Sequence, residues 1–174
     1  MSQPKPPQPA KLVISVFVND KRLLGTIVSR LAKLFGTIEV MSPLIAFDFT
    51  DYYEPEMGPG LVRRMIAFKP LIAQDTLSTI KLKTNILENE FSKDARRNVN
   101  IDPGYLVRER FVLATGKNFT HRIYIGNNIY ADLTLIFQKG EFRSLPWTYP
   151  DYKEKNMLAF LYRVRNKYII DLGS

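Results

Sequence analysis

Residues 47–58 read FDFTDYYEPEMG and place Asp48, Asp51, Glu54 and Glu56 within nine positions, four of the seventeen acids in an otherwise basic chain. Acids this close repel one another unless a cation, a basic side chain or backbone donors offset their charge. Converging carboxylates are what a hard divalent cation such as magnesium takes, so Asp48, Asp51 and Glu54 are candidate metal ligands and the neighbouring Tyr53 a candidate ligand-binding residue. The plainer alternative has Asp51 capping a turn and Glu54 leading into Pro55, with Arg63 and Arg64 neutralising the group.

Three further stretches carry chemistry. In Asn100–Tyr105, NIDPGY, proline followed by glycine suits a type II turn with Asp102 bonding the turn backbone, which leaves Tyr105 without a structural explanation. His121 is the only histidine; it neighbours Arg122, and a hairpin would set Arg122 opposite Asp132. In residues 145–152, LPWTYPDY, two prolines hold an extended connection that presents Trp147, the sole tryptophan, as a core residue or as a stacking platform for a base. Asp48, Asp102 and His121 are the candidate catalytic groups. Tyr53, Arg63, Arg64, Tyr105, Arg122, Asp132 and Trp147 are the candidate ligand-binding groups.

The rest of the chain must position these residues. With 174 residues, one domain is expected, and 45% hydrophobic with 24% charged content suits a globular fold. Four prolines in residues 1–10 mark a flexible tail, so the expected domain is 11–174. Without a long apolar run or a signal-peptide core, the expectation is a cytoplasmic protein that does not engage a membrane. The lack of cysteine excludes disulfides and thiolate chemistry, and a single histidine argues against structural zinc. A net charge of +8 points to an anionic partner, although the basic residues are scattered rather than blocked.

The apolar run Leu12–Val18 predicts a buried strand. Asp20 and Gly36 predict the ends of a helix whose Leu23, Ile27, Leu31 and Leu34 face the core. Strands are expected over Ile38–Phe47, bent at Pro43, and over Leu61–Phe68. A helix capped by Asp75 follows, with Leu77, Ile80, Thr84, Leu87 and Phe91 in one stripe. Short strands are expected over Val99–Ile101, Arg110–Ala114, His121–Ile125 and Ile129–Phe137.

A closing helix, with a capping box at Asp151–Glu154, sets Met157, Leu161, Val164, Tyr168 and Leu172 on one side. The fold class is α+β: a ferredoxin-like β-α-β-β-α-β core, an added antiparallel hairpin and a C-terminal helix. A three-residue loop at Gly126–Asn128 would pair Ile125 with Ile129 and Arg122 with Asp132. Ile123, Ile125, Ile129, Ala131, Leu133 and Leu135 then share an apolar face, opposite Arg122, Tyr124, Tyr130, Asp132 and Thr134.

The segments FDFTDYYEPEMG, VNIDPGYL, LATGKNFTHRIYIG, IYADLTLI and LPWTYPDY, in this order, make the chain resemble a bacterial family known as a domain of unknown function. The likeness covers nearly everything from Lys11 onward and implies no activity. Some similar proteins carry an automatic label of GTP-binding protein. A P-loop needs G-x-x-x-x-G-K-[ST], whereas around Gly116-Lys117 the earlier glycine position is Phe111 and the hydroxyl position is Asn118. A GTPase of that type is not expected.

The expected function is binding of a small phosphorylated ligand or nucleotide in one polar pocket. Arginines would hold the anion, tyrosines would wall the ligand, and carboxylates would hold a divalent cation or act as acid and base, with metal-assisted hydrolysis as the boldest form. The rival is a module without chemistry that binds RNA or a protein through its basic surface and Trp147. A third reading makes the same residues a buried salt-bridge network that only fixes the fold.

Overall fold

The computed structural model describes residues 2–47, 57, 60–92 and 97–173. Strand β1 (Ala10–Val18) is buried along its whole length and lies between β4 (Val62–Ile72) and β5 (Val99–Leu106), antiparallel to both. Alternation along β1 divides the molecule into layers. Leu12, Ile14, Val16 and Val18 pack with Leu24, Ile27 and Leu31 of α1 (Leu23–Phe35) and with Ile80 and Leu87 of α2 (Leu77–Glu90). Val13 joins the opposite cluster with Met157, Phe160, Leu161, Val164 and Tyr168 of α3 (Lys155–Gly173).

The sheet is completed by β2 (Ile38–Met41), β3 (Ile45–Ala46), β6 (Arg110–Thr115), β7 (Arg122–Tyr124), β8 (Tyr130–Gln138) and β9 (Glu141–Ser144). Its order is β2-β4-β1-β5-β6-β8-β7, with β3 also on β4 and β9 on β8. The fold is therefore mixed α+β, with the helices on both faces of one antiparallel sheet. No helix among the described residues is long and apolar enough to cross a membrane. Residues 2–9 are exposed and lack regular secondary structure.

Several local expectations are corrected. Leu34 is exposed; the core stripe of α1 is Leu24, Ile27 and Leu31. Asp20 bonds the backbone N–H and the guanidinium of Arg22 ahead of the helix. Gly36 ends α1 with φ 94°, and a Cβ there would also meet Pro70 Cγ at 2.8 Å. Pro43 separates β2 from β3, while β4 continues through Pro70 to Ile72. Asp75 makes no cap bond and lies in a 3-10 turn (Gln74–Thr76).

The expected turn at Asp102–Tyr105 is strand instead: Asp102 pairs with Ser15, Pro103 with Ile14 and Gly104 with Val13. Pro103 is tolerated because β6 pairs with β5 only from Gly104 to Leu106, so up to that point β5 is an edge on its β6 side. Gly104 serves close packing, since a Cβ would lie 2.5 Å from the Val112 carbonyl oxygen.

The β7–β8 hairpin has the expected register, Arg122 to Asp132, Ile123 to Ala131 and Tyr124 to Tyr130, closed by Ile125 N–H to Ile129 O at 2.9 Å. Its burial follows polarity only in part: Ile129 and Leu135 are buried and Tyr124 is exposed, but three positions run the other way. Ile123 is 71% exposed, whereas Asp132 and Thr134 on the polar face are 3% and 1% exposed. A register shift between Phe111 and Val112 also separates Leu135, in the core under α3, from Leu133, beside Val112 and Ala114.

Candidate functional site

The face of the sheet beneath α3 carries two polar clusters, and residues 145–152 cross it to touch both. At the β7 edge, Asp132 Oδ2 accepts from Arg122 Nε at 2.9 Å and lies 3.1 Å from His121 Nε2. A carboxylate oxygen accepts hydrogen bonds, so in this contact Nε2–H is the donor. Trp147 stacks on the His121 ring at 4.8 Å and 12°, and Phe119 meets its edge at 5.5 Å.

Trp147 is fixed in turn by Nε1 donating to Leu133 O at 2.8 Å, and Thr148 Oγ1 donates to Thr134 O at 2.6 Å. Arg122 also donates to Lys117 O at 3.0 Å and to Tyr149 Oη at 2.8 Å. Desolvation works against the Arg122 charge, but the bonds to Asp132 and Tyr149 outweigh it and raise its pKa. Phe119, Tyr149 and part of Trp147 remain exposed, so the cluster is an open shelf with a His-Asp pair at its base.

The second cluster lies at the sheet centre. Arg63, on β4, pairs with Asp151, both nearly fully buried. Its guanidinium carbon lies 4.3 Å from the ring centre of Phe17, 4.8 Å from that of Tyr152 and 5.3 Å from that of Phe47. Asp151 is thus a counter-ion to Arg63 and not the expected helix cap; α3 begins only at Lys155, after a 3-10 turn (Pro150–Lys153).

Burial pushes the Tyr152 hydroxyl pKa upward; Arg63 opposes that, Asp151 and Asp102 add to it, and the Ser15 hydroxyl, near enough for a weak hydrogen bond, lowers it. Even so, neither Ser15 Oγ nor Tyr152 Oη meets hydrogen-bond geometry, and Arg63 Nε is likewise unpaired among the described residues.

Beside them a paired network closes the free edge of β5. Glu88 Oε1 accepts from the Ile101 N–H at 2.7 Å, and Lys81 Nζ donates to Ile101 O at 2.8 Å and to Asp102 Oδ1 at 3.2 Å. Asn100 Nδ2 donates to Asp102 Oδ2 at 2.6 Å and Asn100 Oδ1 accepts from Arg97 at 3.0 Å. Burial raises the Glu88 pKa, Lys81 and Arg97 pull it down, and Asp102 pushes it up.

The single expected pocket is thus divided. His121, Arg122, Asp132 and Trp147 meet at the edge, whereas Arg63 and Asp102 belong to the centre. Tyr105 lies three residues from Asp102 in the same strand, so it turns to the other face and packs near Leu77. Arg64 alternates away from Arg63 for the same reason and donates to Ser42 O at 2.6 Å. Asp48, Asp51, Tyr53 and Glu54 lie outside the described residues, and no group of three or more potential metal ligands occurs among the described ones.

Ser15, Lys81 and Glu88 are not among the residues expected from sequence, with Tyr149 and Tyr152 expected only as aromatic rings of the LPWTYPDY connection. Ser15 had a signal, as the one polar residue within the apolar run LVISVFV. An open cleft of about 370 Å3 between β9 and the start of α3, lined by Phe142, Arg143, Lys153 and Leu158 among others, includes no residue of either cluster. Neither the curated proteins nor the solved structures yielded a match to the chain. A family's sequence model does match, over residues 8–168, and the chain belongs to that family, the domain of unknown function DUF4416.

Proposed function

We propose that the protein binds a small phosphorylated ligand, a nucleotide or a related phosphate ester, on the shelf formed by His121, Arg122, Asp132, Trp147, Tyr149 and Phe119. The observation that carries this reading is the His121–Asp132 pair held under Trp147: an imidazole oriented by a carboxylate is the usual acid-base device, and the exposed rings beside it suit a planar base. Asp132 fixes the tautomer. Arg122 has donors left after its bonds to Asp132, Lys117 and Tyr149 and supplies positive charge for the phosphate.

In its boldest form the reading is hydrolysis. His121 Nδ1 takes the proton of a water as that oxygen bonds to phosphorus, the ester P–O bond breaks, and the proton passes to the leaving oxygen. A divalent cation such as magnesium bound to the ligand would lower the charge barrier.

The test is a thermal-shift panel of nucleoside mono-, di- and triphosphates with and without magnesium, since a ligand that binds only the folded state raises Tm. At least one member should stabilise the wild type, less so Trp147→Ala and His121→Asn. A panel with no shift in the wild type sinks the reading.

A second reading has its own support. Phe119, Tyr124, Trp147 and Tyr149 are exposed along one edge that also carries Lys117 and Arg122, a combination that serves single-stranded RNA. Affinity for an oligonucleotide should then fall steeply between about 50 and 200 mM salt. Undetectable binding at the lower salt removes it.

A further inference from the structure

Ser15, Arg63 and Tyr152 are each at most 3% exposed, and each has a polar atom with no hydrogen-bond partner among the described residues. They are neighbours. Ser15 and Phe17 lie on one face of β1, Arg63 stands opposite Phe17 on β4, and Tyr152 covers the Arg63 guanidinium and lies close to Ser15. A buried donor left unpaired destabilises a fold, and three together in a chain that pairs the adjacent network in full call for an explanation.

All three atoms can donate: two hydroxyls and the Nε–H of a guanidinium. The nearby carboxylates do not answer them, because Asp151 is matched by Arg63 through Nη2 and Asp102 by Lys81 and Asn100. The Asp102 side chain, paired with Ser15 across β1 and β5, is 28% exposed.

We propose that Ser15 Oγ, Tyr152 Oη and Arg63 Nε form a binding site for an acceptor oxygen of a small ligand, a carboxylate or phosphoryl oxygen, separate from the His121 shelf. Backbone placement supports a built site. Ser15 and Arg63 sit on the adjacent strands β1 and β4, and Tyr152 is held by the 3-10 turn that its neighbour Asp151 anchors through Arg63. Two of the three donors are neutral, so the site favours a single oxygen over a multiply charged group, and the matched carboxylates beside it limit repulsion.

Inorganic phosphate and acetate, titrated at constant ionic strength, are the probes, with Tm and backbone amide NMR shifts of β1 as readouts. One or both should raise the wild-type Tm and shift the Ser15 amide, and the anion that does so identifies the source of the oxygen. Ser15→Ala and Tyr152→Phe should fold with an unchanged or higher Tm without the anion, because each removes an orphan donor, and should lose the response. His121→Asn should keep it, so the site stands or falls independently of the proposed shelf.

Three results would overturn the proposal: no response of the wild type to either anion, the same response in all variants, or a Tm drop of several degrees in both Ser15→Ala and Tyr152→Phe. The last would mean that the two hydroxyls bond each other and serve only the fold.

Discussion

Two buried polar assemblies lie side by side on β1 and β5, and they differ in completeness. Around Lys81, Glu88, Asn100 and Asp102 every group has a partner, and two side chains of α2 supply the bonds that the Ile101 backbone lacks where β6 has not yet joined β5. Around Arg63 and Asp151 the ion pair is complete while Ser15, Tyr152 and Arg63 Nε are left over. Fully paired networks stabilise a sheet edge that would otherwise be open to foreign strands. Leftover buried donors do the opposite, so the difference separates residues retained for the fold from residues whose presence the fold alone does not explain.

The sharpest way to break this distinction is to remove a charge from the ion pair. Asp151→Ala leaves the Arg63 guanidinium buried among Phe17, Phe47 and Tyr152 without a counter-ion, and should cost about 3–5 kcal/mol in denaturant unfolding. A loss under about 1 kcal/mol would show that the arginine reaches water by another route, and the central cluster would no longer count as buried.

Next in size is Glu88→Ala, which orphans the Ile101 N–H and weakens the restraint on Lys81 and Arg97; about 1–3 kcal/mol is expected. Glu88→Gln separates hydrogen bond from charge. Its amide oxygen can still accept from Ile101, so it should be milder than the alanine variant. Burial holds the folded Glu88 pKa above the ordinary value of 4.5, so its contribution is fully present below that value and is lost as pH rises through the folded pKa. Glu88→Gln should therefore remove one acid-side component from the pH dependence of stability. An unchanged profile would mean that the charge is compensated elsewhere in the network.

The same contrast explains which parts were legible beforehand. Strand register and the α2 spacing translated well, although burial across the hairpin did not: the β7–β8 register followed from Arg122 opposite Asp132 across a Gly126–Asn128 loop, and the α2 stripe from Leu77 to Leu87 is buried. Local turn chemistry misled at Pro103-Gly104, because pairing with β1 overrides a turn preference, and the glycine answers the Val112 carbonyl. Strand β9 was missed because Lys139-Gly140, with φ of 53° and 85°, makes its hairpin turn without the usual asparagine or aspartate.

At the site, His121, Arg122 and Asp132, three of the residues expected to share one pocket, do meet, and Trp147, expected in the core or on an RNA-binding surface, stacks on His121. Residue types could not reveal that Arg63 and Arg64, or Asp102 and Tyr105, turn to opposite faces, since that follows from strand placement. The third reading, a buried salt-bridge network, fits Asp102, which pairs with Lys81.

The smallest effect at neutral pH, and the most discriminating, concerns Tyr152. Its hydroxyl is buried beside two carboxylates, so ionisation is disfavoured in the folded state and the folded pKa lies above the ordinary tyrosine value near 10. A group raised in this way contributes stability in full below pH 10, and that contribution is lost as pH climbs from there toward the folded pKa, because the unfolded chain releases the proton first.

Tyr152→Phe should thus match or slightly exceed the wild type near pH 7, where only an orphan donor is removed, and should outlast it in alkaline unfolding above pH 10. Ser15→Ala should leave the alkaline limb in place, since it changes a neighbour and not the titrating group. If the phenylalanine variant were weaker at pH 7 by about 1 kcal/mol or more, the hydroxyl would be a bonded structural group, and the contrast between a complete and an incomplete assembly would fail at its central residue.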